Sequence, residues 1–150
     1  MFKKILFPTD FSGCSVKITD FAIKFALNNH SELIFFHVLD DENNDAAIDY
    51  SQFKNEVEIK LDDLEKKEEL THIKDVKSLK WDIVSVSGTS AAEEIVKYVE
   101  DESNGIDLIL MPTHSKGGIR RFLIGSTAEK VVRHSQVPVL TINTNKYSAK

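Results

Sequence analysis

The chain has 150 residues, 41% of them hydrophobic and 29% charged, which describes one globular domain and excludes a disordered or fibrous polypeptide. A formal charge of −5 supplies no net cationic field for a phosphate backbone, so no nucleic-acid partner is expected. No segment reaches the roughly 20 apolar residues that cross a bilayer, so no membrane partner is expected either.

The run Met1 to Pro8 puts a charged pair ahead of apolar residues but is too short for a signal-peptide core. Cys14 is the single cysteine and can form no internal disulfide, so the expected compartment is the reducing cytoplasm. Lys4 to Pro8 reads as the first strand. Ser12 then caps a helix whose Ile18, Phe21, Ala22, Phe25 and Ala26 recur at three- and four-residue spacing. Glu32 to Leu39 is the second strand, with the apolar centre of a strand covered on both faces. Asp40 to Asp45 reads as loop, and Phe53, Val57, Leu61 and Leu64 form the apolar stripe of a longer helix with Lys- and Glu-rich outer faces.

Trp81 to Val86 is the third strand, broken by Gly88. Ser90-Ala91-Ala92-Glu93 has capping-box form and opens a helix that buries Ile95, Val96 and Val99 and stops at Asn104-Gly105. Asp107 to Met111 is the fourth strand. After a basic, glycine-bearing loop, a second capping box, Ser126-Thr127-Ala128-Glu129, opens a helix to about Ser135. Pro138 leads into the last strand, Val139 to Ile142, and the tail from Lys146 is expected to fray. Alternating strands and helices predict a single α/β domain over residues 1–150, built on a five-stranded parallel sheet.

In such sheets, most often of order 2-1-3-4-5 or a variant, ligands collect at the carboxyl ends of the strands where the order reverses. The candidates are Pro8-Thr9-Asp10, His37-Val38, Ser87-Gly88 and the segment from Met111 to Thr127. Asp10 suits a ribose hydroxyl, or equally an Asx-turn. Ser126 and Thr127 offer hydroxyl and backbone donors to a phosphate at a helix N-terminus, or simply cap it. Lys116, Arg120 and Arg121 fit a polyphosphate, or are scattered surface charge. His114 is a phosphate or base contact, or an exposed loop histidine. The histidines lack HxxxH spacing, and there is no G-x-S-x-G elbow, Walker lysine or G-x-G-x-x-G, so neither a metal site nor a catalytic constellation is expected.

Four stretches together resemble a universal stress protein: Ile5 to Ser12, His37-Val38, Gly88 to Ile95 and Pro138-Val139-Leu140. The resemblance covers nearly the whole chain. It implies a Rossmann-like, adenine nucleotide alpha hydrolase-like sheet of order 3-2-1-4-5, and a homodimer paired through Val139 to Ile142. In the nucleotide-binding branch it implies ATP, or ADP or AMP, at the carboxyl edge, with Mg accompanying the phosphates. Pro8 and Asp10, either side of Thr9, would flank the adenosine. Val38 would give backbone contacts to adenine, and Met111 would line the base pocket. His114, Gly125, Ser126 and Thr127 would meet the phosphates.

That branch carries G-x-x-G, nine residues, then G-[S/T]. Gly125-Ser126 matches the end, but Pro112 and Ser115 replace the two leading glycines. Loss of one charge-assisted donor costs about 1.5–3 kcal/mol, or roughly one to two decades of affinity. A second reading follows from those replacements: a member of the branch that binds no ATP and acts as a dimeric scaffold for a protein partner. Hydrolysis of ATP is expected to be slow at most, since no general base stands out.

Overall fold

The strands and helices follow the order read from the sequence in the computed structural model, which describes residues 1–11, 13–41, 49–67, 75–113 and 125–144. They are β1 (Lys4–Pro8), α1 (Gly13–Asn29), β2 (Glu32–Asp40), α2 (Ser51–Lys66), β3 (Trp81–Gly88), α3 (Ala91–Glu100), β4 (Leu108–Thr113), α4 (Ser126–His134) and β5 (Val139–Asn143). The five strands pair in parallel in the order β3-β2-β1-β4-β5. This is the order implied by the resemblance and differs from the commoner 2-1-3-4-5 expected from strand count alone.

Successive strand residues point to opposite faces, so the apolar strands feed two cores at once. Ile5, Phe7, Phe35 and Leu110 pack beneath α1 and α2 with Ile18, Phe53 and Val57. Leu6, Ile34, Phe36 and Ile109 pack beneath α3 and α4 with Ile95, Val99 and Val131. Burial on both sides is why the strands read as continuous hydrophobic runs. The first core is strongly aromatic: Phe35 meets Phe7 edge-on at 5.7 Å, Phe53 at 4.9 Å and Trp81 at 6.0 Å between ring centroids.

Several boundaries differ from the sequence expectation. Asp107 lies just outside β4, where its carboxylate accepts the backbone N–H groups of Lys3 at 2.7 Å and Lys4 at 3.1 Å. β4 instead runs on through Pro112 to Thr113. Gly88 does not break β3 but ends it, paired with Asp40. A Cβ at Gly88 would stand 2.5 Å from Glu94 Cγ, so the glycine admits a close neighbour rather than a turn. Val96 is only half-buried, whereas Ala92, Ile95 and Val99 are buried. Ser90 caps α3 as expected, its hydroxyl accepting the Glu93 N–H at 3.4 Å. α3 stops at Glu100, and a short 3-10 turn then closes on Gly105, at φ 64°. Asp101 accepts both the N–H and the hydroxyl of Ser103, which holds its carboxyl below the usual range.

The second capping box does not form. Ser126 is already the first residue of α4, and the cap is Gly125 at φ 88°, a backbone suited to glycine, with no side-chain bond. Ser12 and the tail from Lys146 lie outside the described residues.

α1 closes in a Schellman arrangement, with Ser31 N–H donating to Ala26 C=O at 2.9 Å and His30 N–H to Leu27 C=O at 3.1 Å. The left-handed position is His30, at φ 54°. A side chain there costs about 1–2 kcal/mol, part of which glycine returns through its larger unfolded-state entropy. His30→Gly is therefore expected to stabilise the fold by about 0.5–1 kcal/mol, a rise of roughly 1–4 °C in a thermal melt.

Candidate functional site

Strand order reverses between β1 and β4, and the backbone explains why the sheet parts there. Phe36 C=O accepts Thr9 N–H, and Lys3 C=O accepts Glu32 N–H, so odd-numbered residues of β1 aim their backbone groups at β2 and even-numbered ones at β4. Ile109 N–H donates to Pro138 C=O and Thr144 N–H to Thr113 C=O, so odd-numbered residues of β4 aim at β5 and even-numbered ones at β1. The β1–β4 ladder pairs Ile5 with Leu108 and Leu6 with Ile109, and goes no further. The next two rungs would need N–H groups from Pro8 and then Pro112. Proline has none. Both strands continue, but unpaired with each other, to Pro8 and Thr113.

This register changes the meaning of Pro112. The sequence reading treats its missing N–H as a donor lost to a phosphate. By the alternation along β4 the nitrogen of Pro112 is on the side towards β1, so its missing donor is one that a continued β1–β4 ladder would need. Pro112 itself is half-buried and pairs with Ile142.

At the end of β1, Pro8 and Thr9 are buried and Asp10 is exposed. Thr9 anchors the turn twice: its N–H donates to Phe36 C=O at 2.8 Å, and its Oγ1 accepts the Phe11 N–H at 3.0 Å. Phe11 adopts φ 58°, a left-handed backbone that costs a residue with a side chain about 1–2 kcal/mol. Its ring is held by His37 at 4.9 Å, Tyr50 at 5.3 Å and Phe53 at 4.7 Å between centroids. Such aromatic pairs contribute about 0.5–1.5 kcal/mol each, enough together to offset the backbone cost. His37 is buried, with Nδ1 3.2 Å from the Tyr50 hydroxyl.

Val38 is half-buried, paired with Val86 and packed against the core beneath α3 and α4. Met111 is buried in that same core and pairs with Thr141. Thr113 donates its hydroxyl to Ile142 C=O at 3.2 Å, and Thr144 returns its own to Thr113 C=O at 3.0 Å, which ties the ends of β4 and β5 together. α4 carries the chain from β4 back to the start of the parallel β5, so its amino end lies on the carboxyl side of the sheet. Gly125, exposed Ser126 and half-buried Thr127 occupy that end, where the first N–H groups of a helix have no intrahelical partner.

Pro8, Thr9, Asp10, Val38, Met111 and Pro112 thus stand at or next to the carboxyl ends of three neighbouring strands, with Gly125, Ser126 and Thr127 on the same side. His114, Ser115, Lys116, Arg120 and Arg121 lie outside the described residues. Phe11, Tyr50 and Phe53 are additions that the sequence reading did not place at the site. A left-handed phenylalanine carries no local signature, and Tyr50 merely precedes a helix. Among the described residues no three His, Cys, Asp or Glu side chains gather as metal ligands, and no helix is long and apolar enough to cross a membrane.

Comparison with known proteins places this architecture. The chain is 35% identical over 159 aligned residues to universal stress protein MJ0577 of Methanocaldococcus jannaschii, covering 95% of each. A solved structure of MJ0577, described as a structure-based assignment of its biochemical function, matches with a TM-score of 0.59 and 34% identity over 99% of both chains. Two more distant structures share the fold. One is a universal stress protein in complex with cAMP (TM-score 0.61, 18% identity, 95% of this chain and 98% of that one). The other is the Archaeoglobus fulgidus protein in complex with dAMP (TM-score 0.54, 16% identity, 93% and 97%). The model of the universal stress protein family matches residues 1–143, and the chain belongs to that family.

Proposed function

We propose that this protein is an adenine-nucleotide-binding module of the cytoplasm, taking ATP, ADP or AMP at the carboxyl edge of the sheet in a stress-signalling role. The observation that carries the reading is the end of the β1–β4 pairing at Leu6–Ile109, where the strand order reverses, with the exposed Asp10 after β1 and the amino end of α4 on the same side of the sheet. Asp10 accepts hydrogen bonds from ribose hydroxyls. The N–H groups and hydroxyls of Ser126 and Thr127, behind Gly125, meet phosphate oxygens, helped by the helix dipole. Val38 gives its backbone to the base. Pro8, Met111 and Pro112 form the floor and wall. His114 and Ser115, outside the described residues, are assigned to the phosphates on the family resemblance alone, with Mg accompanying a di- or triphosphate. Fold relatives in complexes with cAMP and dAMP support this choice of ligand.

The test is nucleotide analysis of the purified, denatured protein, followed by calorimetry. Co-purified ATP, ADP or AMP, or millimolar-or-better affinity for one of them, supports the reading. Protein that is free of nucleotide and inert to millimolar ATP favours the dimeric scaffold instead, which Ser115 in place of glycine motivates. Hydrolysis of ATP is expected to be slow at most, and turnover above about a few per minute in a phosphate-release assay would overturn that expectation.

We also assign a homodimer through β5. It is an edge strand, with Leu140 37% exposed and Thr141 exposed beside it. Bare apolar edges invite pairing, and an antiparallel copy covers this one. Light scattering at micromolar concentration is expected to report a dimer; a monomer there rules the assignment out.

A further inference from the structure

We propose that Phe11 and Tyr50 are positioning residues for the ligand site: the clamp of His37, Tyr50 and Phe53 around the Phe11 ring holds the Thr9-to-Phe11 turn left-handed and so sets where Asp10 stands. The inference rests on the reading of Asp10 as a nucleotide contact.

The left-handed backbone at Phe11 carries a cost that contacts of its ring can offset. Within the turn, Phe11 N–H donates to Thr9 Oγ1 at 3.0 Å. That bond fixes the spacing of Thr9 and Phe11 but does not by itself select φ 58° over the ordinary negative range. The ring does. Three aromatic side chains surround it: His37 from β2, Tyr50 from just before α2 and Phe53 from its first turn. With φ negative the side chain would leave Cα in a different direction and the ring would lose that seat. The turn therefore has two states, ring seated with φ positive and ring unseated with φ negative, and the cluster selects the first.

Tyr50 is the movable part of the clamp. It precedes α2 with helical φ and ψ but makes no side-chain capping bond; its hydroxyl goes to His37 Nδ1 at 3.2 Å. His37 is 7% exposed, so the hydroxyl supplies a partner to a buried ring nitrogen. Phe53, one helical turn along, is itself fixed against Phe35 of the core at 4.9 Å. Contact runs from Phe35 of the core through Phe53 to Phe11, and from His37 through Tyr50 to Phe11, whose chain neighbour is Asp10. A turn held this way presents its carboxylate already ordered, which lowers the cost of binding.

Two measurements on the full chain test this, with AMP as the probe. Amide hydrogen exchange at residue 11 reads the turn without ligand. Calorimetry reads its consequence. Tyr50→Ala and Phe11→Gly are expected to speed exchange at that amide at least tenfold and to raise the AMP Kd about tenfold at a temperature where all variants are fully folded. Tyr50→Phe, which keeps the ring against Phe11, is expected to recover most of both losses relative to Tyr50→Ala. A role in stability alone predicts lowered melting temperatures with Kd unchanged in the folded protein. Unchanged exchange in Tyr50→Ala and Phe11→Gly, or AMP affinity equal to that of the parent, overturns the proposal. If exchange accelerates while the parent protein binds no AMP, the clamp on the turn stands and the assignment of Asp10 as a nucleotide contact fails.

Discussion

Asp10→Ala is expected to weaken adenine-nucleotide binding ten- to a hundredfold while costing less than about 1 kcal/mol of folding stability. The carboxylate is exposed at the tip of an anchored turn, where no core packing depends on it. A hydrogen bond from a neutral hydroxyl to an ionised acceptor is worth about 1.5–3 kcal/mol, which converts to roughly one to two decades in Kd. Asp10→Asn keeps one acceptor oxygen at nearly the same place without the charge, so its loss should be smaller than that of alanine. Calorimetric titration of parent, Asn and Ala forms with AMP, alongside thermal melts, reads both quantities. Equal affinity in all three would remove Asp10 from the site.

The second large effect lies in the core. Phe35→Ala is expected to lower stability by about 3–5 kcal/mol, the range for deleting a buried aromatic ring, and the melting temperature by roughly 6–20 °C. Phe35 is fully buried in β2, between β1 and β3, and its ring meets Phe7, Phe53 and Trp81. A strand hydrogen-bonded on both edges cannot shift to fill the void, so the upper part of the range applies. Phe35→Leu, which keeps most of the volume, should cost roughly 1–2 kcal/mol. Denaturant unfolding separates the two. Phe53 leans on Phe35 and also holds Phe11, so the alanine variant should weaken AMP binding as well, even when fully folded. A core deletion far from any ligand reaches the site through that one ring.

Helix and strand positions were legible because local pattern and burial agree. Phe53, Val57, Leu61 and Leu64 repeat at helical spacing and are the buried residues of α2. The second strand reads as apolar throughout because both its faces are covered. The errors fall where a contact or a backbone conformation outside the periodic pattern decides. Asp107 has strand neighbours but serves as an acceptor for the backbone at residues 3 and 4, more than a hundred positions earlier. Ser126 has the form of an N-cap, yet the positive φ at Gly125 moves the helix start by one residue. Gly88 reads as a breaker, but it is the last residue of β3, paired with Asp40 and with the Glu94 side chain packed over it.

Composition and periodicity by themselves determined the α/β class, the five strands and the carboxyl-end candidates, since each rests on which residues must be buried and at what spacing. Motif similarity added the family and its sheet order. Tertiary structure alone decided that Pro8 and Pro112 silence successive rungs of one ladder, and that a left-handed Phe11 is seated by rings from β2 and α2. Both depend on which backbone groups and side chains meet across elements, and no local stretch of sequence encodes that meeting.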